Sequence, residues 1–272
     1  MSRFRTIEIS EPSPGLEGLR FVTVHSAALR GRGDLTVWCP EPSSARSPLP
    51  LVVLLHGVYG SHWAWALKGA AHRTAAHLVA SGAIPPMALA MPSDGLAGDG
   101  TAYLTTPAAD YESWILDDVP AAAAEATLAV DPAAPFFLAG LSMGGFGTLR
   151  LGGRHPRRFR GLSAHSAVVS LDDLKPFLGS APTWTGTVED PEVGILLTRA
   201  GVQPPPMRFD CGLDDPLLES NRRLHRSLEA AGVPHRYEEF EGGHTWPYWE
   251  RHLVETLRFF GGILEGRRTE DR

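Results

Sequence analysis

The sequence predicts an α/β domain with a mostly parallel central sheet and helices on both faces. Three observations predict it. Runs such as Leu51-Val52-Val53-Leu54-Leu55 and Phe136-Phe137-Leu138-Ala139 are apolar throughout, as strands buried on both faces are. Segments with helical spacing separate these runs, the order that crossover helices between parallel strands require. A length of 272 residues suits one large α/β domain, residues 1–272, better than two small ones.

Taken in order, the opening section reads as strands without helices, at 21–25 and 35–38. Pro and Ser make 40–50 a surface loop, and the strand 51–55 then ends in His56-Gly57. A helix is expected over 70–79, closed by Ser81-Gly82, and a buried strand over 87–91, ended by Pro92. Trp114, Ile115, Val119 and Ala122 recur at helical spacing and predict a helix over 111–128, kinked or started late by Pro120. The strand 136–139 leads directly into a helix over 143–151. Further strands are expected at 159–163, 207–210 and 236–240, with helices at 217–230 and 248–259. The section 170–206 is different. Pro176, Pro182, Pro191 and Pro204-Pro205-Pro206 interrupt it, so it reads as an insertion above the strand ends, a small cap over the site.

Composition narrows the partners. The chain is 43% hydrophobic and 21% charged, as globular proteins are, and its net charge of −6 offers no attraction to nucleic acid or an anionic membrane. The cluster Arg154-His155-Pro156-Arg157-Arg158 falls at a helix end, where cations complement the dipole. Two cysteines, Cys39 and Cys211, form neither a disulfide framework nor a metal site and read as small buried residues. Met1-Ser2-Arg3-Phe4-Arg5 leads into no apolar stretch of the signal-peptide kind, and no apolar run approaches the ~20 residues of a bilayer span. A cytoplasmic location is the expectation.

The chemistry centres on Gly140-Leu141-Ser142-Met143-Gly144. An apolar strand before this run and a helix after it make the sharp turn that exposes a nucleophilic serine at the top of an α/β-hydrolase sheet. Glycines flank the serine because neighbouring Cβ atoms would clash in that strained backbone. Such a serine needs a base and the base an orienting carboxylate, in chain order Ser, acid, His. His244, in Glu241-Gly242-Gly243-His244-Thr245-Trp246 after the last strand, is the base; His252 falls inside a helix and reads as solvent-facing. Asp210, Asp214 and Asp215 all lie near the end of the strand 207–210, and spacing alone does not choose among them. Asp214 and Asp215 could equally cap the helix that begins near Pro216. The oxyanion donors expected are the N–H groups of Met143 and Val58. His56 reads as structural in the same loop. Tyr59, Trp63, Trp65 and Trp184 are candidate walls of an apolar pocket. Nothing in this chemistry calls for a metal or organic cofactor.

His56-Gly57-Val58-Tyr59-Gly60-Ser61 with Trp63, then Met91-Pro92, then Tyr111-Glu112-Ser113-Trp114-Ile115-Leu116, resembles the esterase D family. That family includes S-formylglutathione hydrolases, short-chain acyl esterases, feruloyl esterases and mycolyltransferases. Gly140-Leu141-Ser142-Met143-Gly144-Gly145-Phe146-Gly147 is similar to its elbow, and Gly243-His244-Thr245-Trp246 to its histidine loop. Cys211-Gly212-Leu213-Asp214-Asp215 resembles its acid loop, in which the carboxylate stands three residues after the glycine. The resemblance therefore implies Asp215. It also implies an α/β-hydrolase fold and hydrolysis of a small acyl ester through an acyl-enzyme on Ser142. Acyl transfer of the mycolyltransferase kind and thioester hydrolysis of the S-formylglutathione kind are the alternatives. Trp63-Ala64-Trp65 and Ser93-Asp94 depart from the family's usual residues at these positions.

Overall fold

A computed structural model describes residues 2–11, 14–40, 48–179, 184–185, 192–201 and 203–266. Most of the expected loop 40–50 lies outside them, as do Pro182 and Pro191 of the insertion. The chain opens with β1 (Ile7–Ile9), β2 (Arg20–Ser26) and β3 (Gly31–Trp38), paired antiparallel. β3 pairs antiparallel with β5 (Ala88–Pro92), which lies parallel to β4 (Leu51–Leu55). From β4 the sheet continues, all parallel, through β6 (Phe136–Leu141), β7 (Phe159–His165), β8 (Met207–Gly212) and β9 (Arg236–Phe240). Every residue of β4 and β6 is buried, which is why neither alternates in sequence.

Two apolar layers cover this sheet. One packs α1 (Ala64–Leu67), α2 (Ala71–Ala80) and α9 (Trp246–Leu264) on Val52, Leu54, Leu89 and Phe137. The other packs α4 (Val119–Thr127), α5 (Met143–Arg154) and α8 (Leu218–Ala230) on Val53, Leu55, Leu138 and Phe209. Successive residues of a strand point to opposite faces, so Val52 and Val53 serve different layers. Among the described residues no helix is long and apolar enough to cross a membrane.

Several elements differ from the sequence expectation. The helix expected over 111–128 is three pieces: α3 (Tyr111–Ser113), a π-helical turn (Trp114–Asp118) and α4. Asp110 caps its start through the Ser113 N–H. Pro120 lies in the first turn of α4, so of the two expectations it marks a late start and not a kink. The basic cluster after α5 does more than complement a dipole: Arg154 and His155 pair with Glu112, and Arg158 with Asp117. His252 is buried, stacked on Phe240 with ring centroids 4.2 Å apart, because it shares the inward face of α9 with Trp249, Leu253 and Thr256. Cys211 is buried but Cys39 only partly so. The insertion also divides. It holds α6 (Leu171–Leu174), a 3-10 turn (Lys175–Phe177) and α7 (Val193–Thr198). Val193, Leu196 and Leu197 of α7 are buried in the core, and Leu196 lies against Gly153 of α5.

Candidate active site

Ser142 sits between β6 and α5 with φ 53° and ψ −117°, a backbone region that side chains rarely occupy. The surroundings hold it there: its N–H donates to the His165 carbonyl at 2.9 Å, and its own carbonyl accepts from Phe146 and Val168. Gly140 and Gly144 make the turn possible. A Cβ on Gly140 would stand 2.3 Å from the Gly144 carbonyl oxygen, and one on Gly144 2.3 Å from that of Leu55. β6 can therefore reach the helix, and the helix β4, only through two glycines.

The loop after β9 brings His244 to this serine, with Nε2 3.0 Å from Ser142 Oγ. Its Nδ1 faces both carboxylate oxygens of Asp215, at 3.1 and 3.0 Å. A carboxylate at Nδ1 fixes the hydrogen there and leaves Nε2 free to accept from the serine hydroxyl. Asp215 is buried, whereas Asp214 is exposed on the far side of the same turn. Burial alone would raise the Asp215 carboxyl, yet its hydrogen bond and charge pairing with His244 hold it below the ordinary value, with the Leu217 N–H and Ser166 hydroxyl adding to the effect. The Leu217 bond, 2.9 Å to Oδ1, also orders the turn into α8, so Asp215 orients the imidazole and starts a helix.

Three neighbours of this relay carry no sequence signal. Phe177, from the insertion's 3-10 turn, lies nearly parallel to the His244 ring at 6.2 Å between centroids. Trp249 meets that ring edge-on at 4.9 Å, and its Nε1 donates to Ser166 Oγ at 3.1 Å. Ser166, the residue after β7, has φ 47° and its N–H donates to the Asp210 carbonyl at 2.7 Å. All three reach the ring or its partners only through tertiary packing, from a 3-10 turn, a strand end and α9.

Val58 and Met143 come together beside Ser142. A Cβ on Gly57 would lie 3.2 Å from Ser142 Cβ, and one on Gly100 would strike Met143 Sδ at 2.5 Å and meet Val58 Cγ1 at 3.4 Å. Among the described residues neither backbone N–H has a backbone acceptor in a turn or loop. His56 shapes this loop. Its Nε2 accepts from the Asp94 N–H at 3.1 Å and its Nδ1 donates to the Gly57 carbonyl at 2.7 Å. Burial pushes its pKa down, against the raising influence of Asp94 and of the Gly57 carbonyl. Asp94 in turn accepts from the N–H groups of Leu96 and Thr101.

The aromatic candidates separate. Tyr59 is 68% exposed, with φ 59°, and its hydroxyl donates to the Phe177 carbonyl. Asp99 makes a second link between the same loops, accepting from Gly179 N–H at 2.9 Å on its carboxylate and from Tyr59 N–H at 3.1 Å on its carbonyl. Trp63 lies at the surface, with Lys68 Nζ 5.6 Å from its ring. Trp184 is half-buried against the main core. Trp65 is no pocket wall: it is 1% exposed, donates to the Leu55 carbonyl at 2.9 Å and packs edge-on against Trp246, because α1 turns its side chain under the sheet end.

Known proteins share this frame. The fold is similar to that of a ferulic acid esterase, with TM-score 0.78 and 28% identity over 90% of this chain and 98% of that one. An S-formylglutathione hydrolase from Agrobacterium tumefaciens has TM-score 0.79 at 19% identity, over 94% and 99% of the two chains. A fluorophosphonate-binding serine hydrolase of Staphylococcus aureus has TM-score 0.75 at 23% identity, over 88% and 96%. These likenesses place the fold among the α/β hydrolases. In sequence, an acetyl esterase of Caldicellulosiruptor saccharolyticus is 28% identical over 149 residues, 47% of this chain and 55% of that protein. The chain thus spans little more than half the length of that curated relative. The family model described as "Putative esterase" matches residues 26–260, and the chain belongs to that esterase family.

Proposed function

We propose that this protein is a serine carboxylesterase that hydrolyses small acyl esters. The observation that carries the reading is the Ser142–His244–Asp215 relay, with successive contacts of 3.0 and 3.0 Å, on a serine held at positive φ ahead of a helix. Ser142 Oγ attacks the ester carbonyl as its proton passes to His244 Nε2. The N–H groups of Val58 and Met143, reinforced by the N-terminus of α5, stabilise the oxyanion. The carbon–oxygen bond to the leaving alcohol breaks as that oxygen takes the proton from Nε2, leaving an acyl-enzyme. Water then attacks, giving its proton to His244, and the proton returns to Ser142 as the acid departs. Asp215 keeps the imidazole in the working tautomer and stabilises its charged form throughout.

The acetyl esterase and ferulic acid esterase among the relatives are both named for oxygen esters, which supports an ester over a thioester as substrate. Steady-state hydrolysis of p-nitrophenyl acetate tests the reading. Ser142→Ala should retain at most about 10⁻⁴ of the wild-type kcat; a variant as fast as wild type contradicts it. Product analysis with added alcohol separates hydrolysis from acyl transfer, since a transferase would yield the new ester in preference to the acid.

A further inference from the structure

The sheet face beneath α9 holds a charged network that none of these steps uses. Register pairs Ser163 with Arg208 and His165 with Asp210, and two-residue spacing puts all four side chains on one face. Arg208 is 1% exposed; His165 and Asp210 are fully buried. Asp210 Oδ2 lies 2.8 Å from both His165 Nδ1 and Arg208 Nη1, contacts too oblique to be linear hydrogen bonds, and Oδ1 accepts the Tyr248 hydroxyl at 2.7 Å. His165 Nε2 meets Thr256 Oγ1 at 2.8 Å, and Thr256 meets Ser163 Oγ at 2.6 Å. Arg208 also donates to Ser163 and Glu238.

Burying ions costs several kcal/mol each, and apolar residues of similar volume commonly stabilise a core as well. Stability alone therefore does not account for the network, but its attachments do. The backbone carbonyl of His165 receives the Ser142 N–H at 2.9 Å. The carbonyl of Asp210, five residues before Asp215 in the same strand and turn, receives the Ser166 N–H at 2.7 Å, and Ser166 Oγ accepts from Nε1 of Trp249, whose ring meets His244. Tyr248 stands four residues after His244, at the start of α9. One carboxylate thus ties together the strand end behind the nucleophile, the strand leading to the acid and the helix following the base.

We propose that Asp210 is a positioning residue for the relay, holding Ser142, Asp215 and His244 in register through His165 and Tyr248. The proposal rests on the reading of Ser142 as an ester-attacking nucleophile. Tyr248→Phe tests it with little change of volume, because it removes only the bond from Asp210 to α9. The expected result is a kcat for p-nitrophenyl acetate about tenfold below wild type, with KM within about twofold, because misplacing a reacting group slows chemistry more than binding. Phosphonylation of Ser142 by a fluorophosphonate should slow by the same factor. Asp210→Asn should lose about 100-fold on both measures; if it does not fold, Tyr248→Phe decides alone. A folded Tyr248→Phe with wild-type kcat and phosphonylation rate, lowered only in Tm, overturns the proposal and leaves the network structural. A wild-type protein that is not phosphonylated on Ser142 instead removes the esterase reading, before any variant is compared.

Discussion

His244 with Asp215 and His165 with Asp210 are two versions of one arrangement, built on neighbouring strand ends. In each, a hydroxyl meets Nε2, Ser142 at 3.0 Å and Thr256 at 2.8 Å, while a carboxylate meets Nδ1 at 3.0 and 2.8 Å. What differs is the setting. His244 is 20% exposed in a loop, and its hydroxyl partner sits on a strained turn beside two N–H groups free of backbone acceptors in turns and loops. His165 is fully buried, Thr256 lies within α9, and Arg208 neutralises the carboxylate. Burial and the pull of His165 and Arg208 oppose each other at Asp210, and the charges prevail, holding its carboxyl well below the usual range. A hydroxyl, an imidazole and a carboxylate in line do not by themselves make a nucleophile. The two settings differ in exposure and in the N–H groups that stand beside the hydroxyl.

That comparison breaks most readily at the acid. Asp215→Asn should cut kcat for p-nitrophenyl acetate by about 10⁴, since an amide facing Nδ1 favours the wrong tautomer. Asp214→Asn, at an exposed position, should stay within about twofold of wild type. A result in which Asp214 matters and Asp215 does not would dissolve the first arrangement and reassign the acid.

A third histidine–carboxylate contact sharpens the comparison by lacking a hydroxyl altogether. Glu112 faces His155, Arg150 and Arg154; burial would raise its carboxyl, but these partners bring it from 4.5 to about 2. A depressed acid of this kind stabilises the fold above its unfolded pKa, and the contribution is lost as pH falls from about 4.5 through 2. Denaturant unfolding of Glu112→Gln at pH 7 should show a loss of about 2 kcal/mol, which shrinks toward zero at the acid end of that window. Activity per folded molecule should be unchanged, as nothing in this cluster touches the relay. A milder effect on turnover than that at the acid concerns access. Phe177→Ala removes the ring lying over His244 and should change kcat/KM by about fivefold, the scale of one aromatic contact, with Tm nearly constant.

Much of this was readable before any coordinates. β4 and β9 fall at their expected limits, because a wholly apolar run and a run bounded by turn residues are both sharp signals. β1 was not, since Ile7–Ile9 is three residues long and is a strand only by pairing with β2. At the site, Ser142 and His244 stand in motifs whose chain order carries the chemistry. Asp215 stood out from Asp214 only by resemblance to a family loop, and burial now separates the two physically. Ser166 and Phe177 gave no signal, and Asp210 stood out only as one of three carboxylates near a strand end. Asp210 gains its role from being opposite His165 across β7 and β8, and strand register is not written in local sequence.

The central claim is that Ser142, and not another hydroxyl of the chain, carries the acyl group. Rapid acid quench of the protein mixed with excess p-nitrophenyl acetate, followed by peptide mass mapping, addresses it directly. An acetyl group on the peptide holding Ser142, absent from Ser142→Ala, is the predicted result. Turnover at full rate with no acyl group on Ser142, or with the group on a different residue, would contradict it.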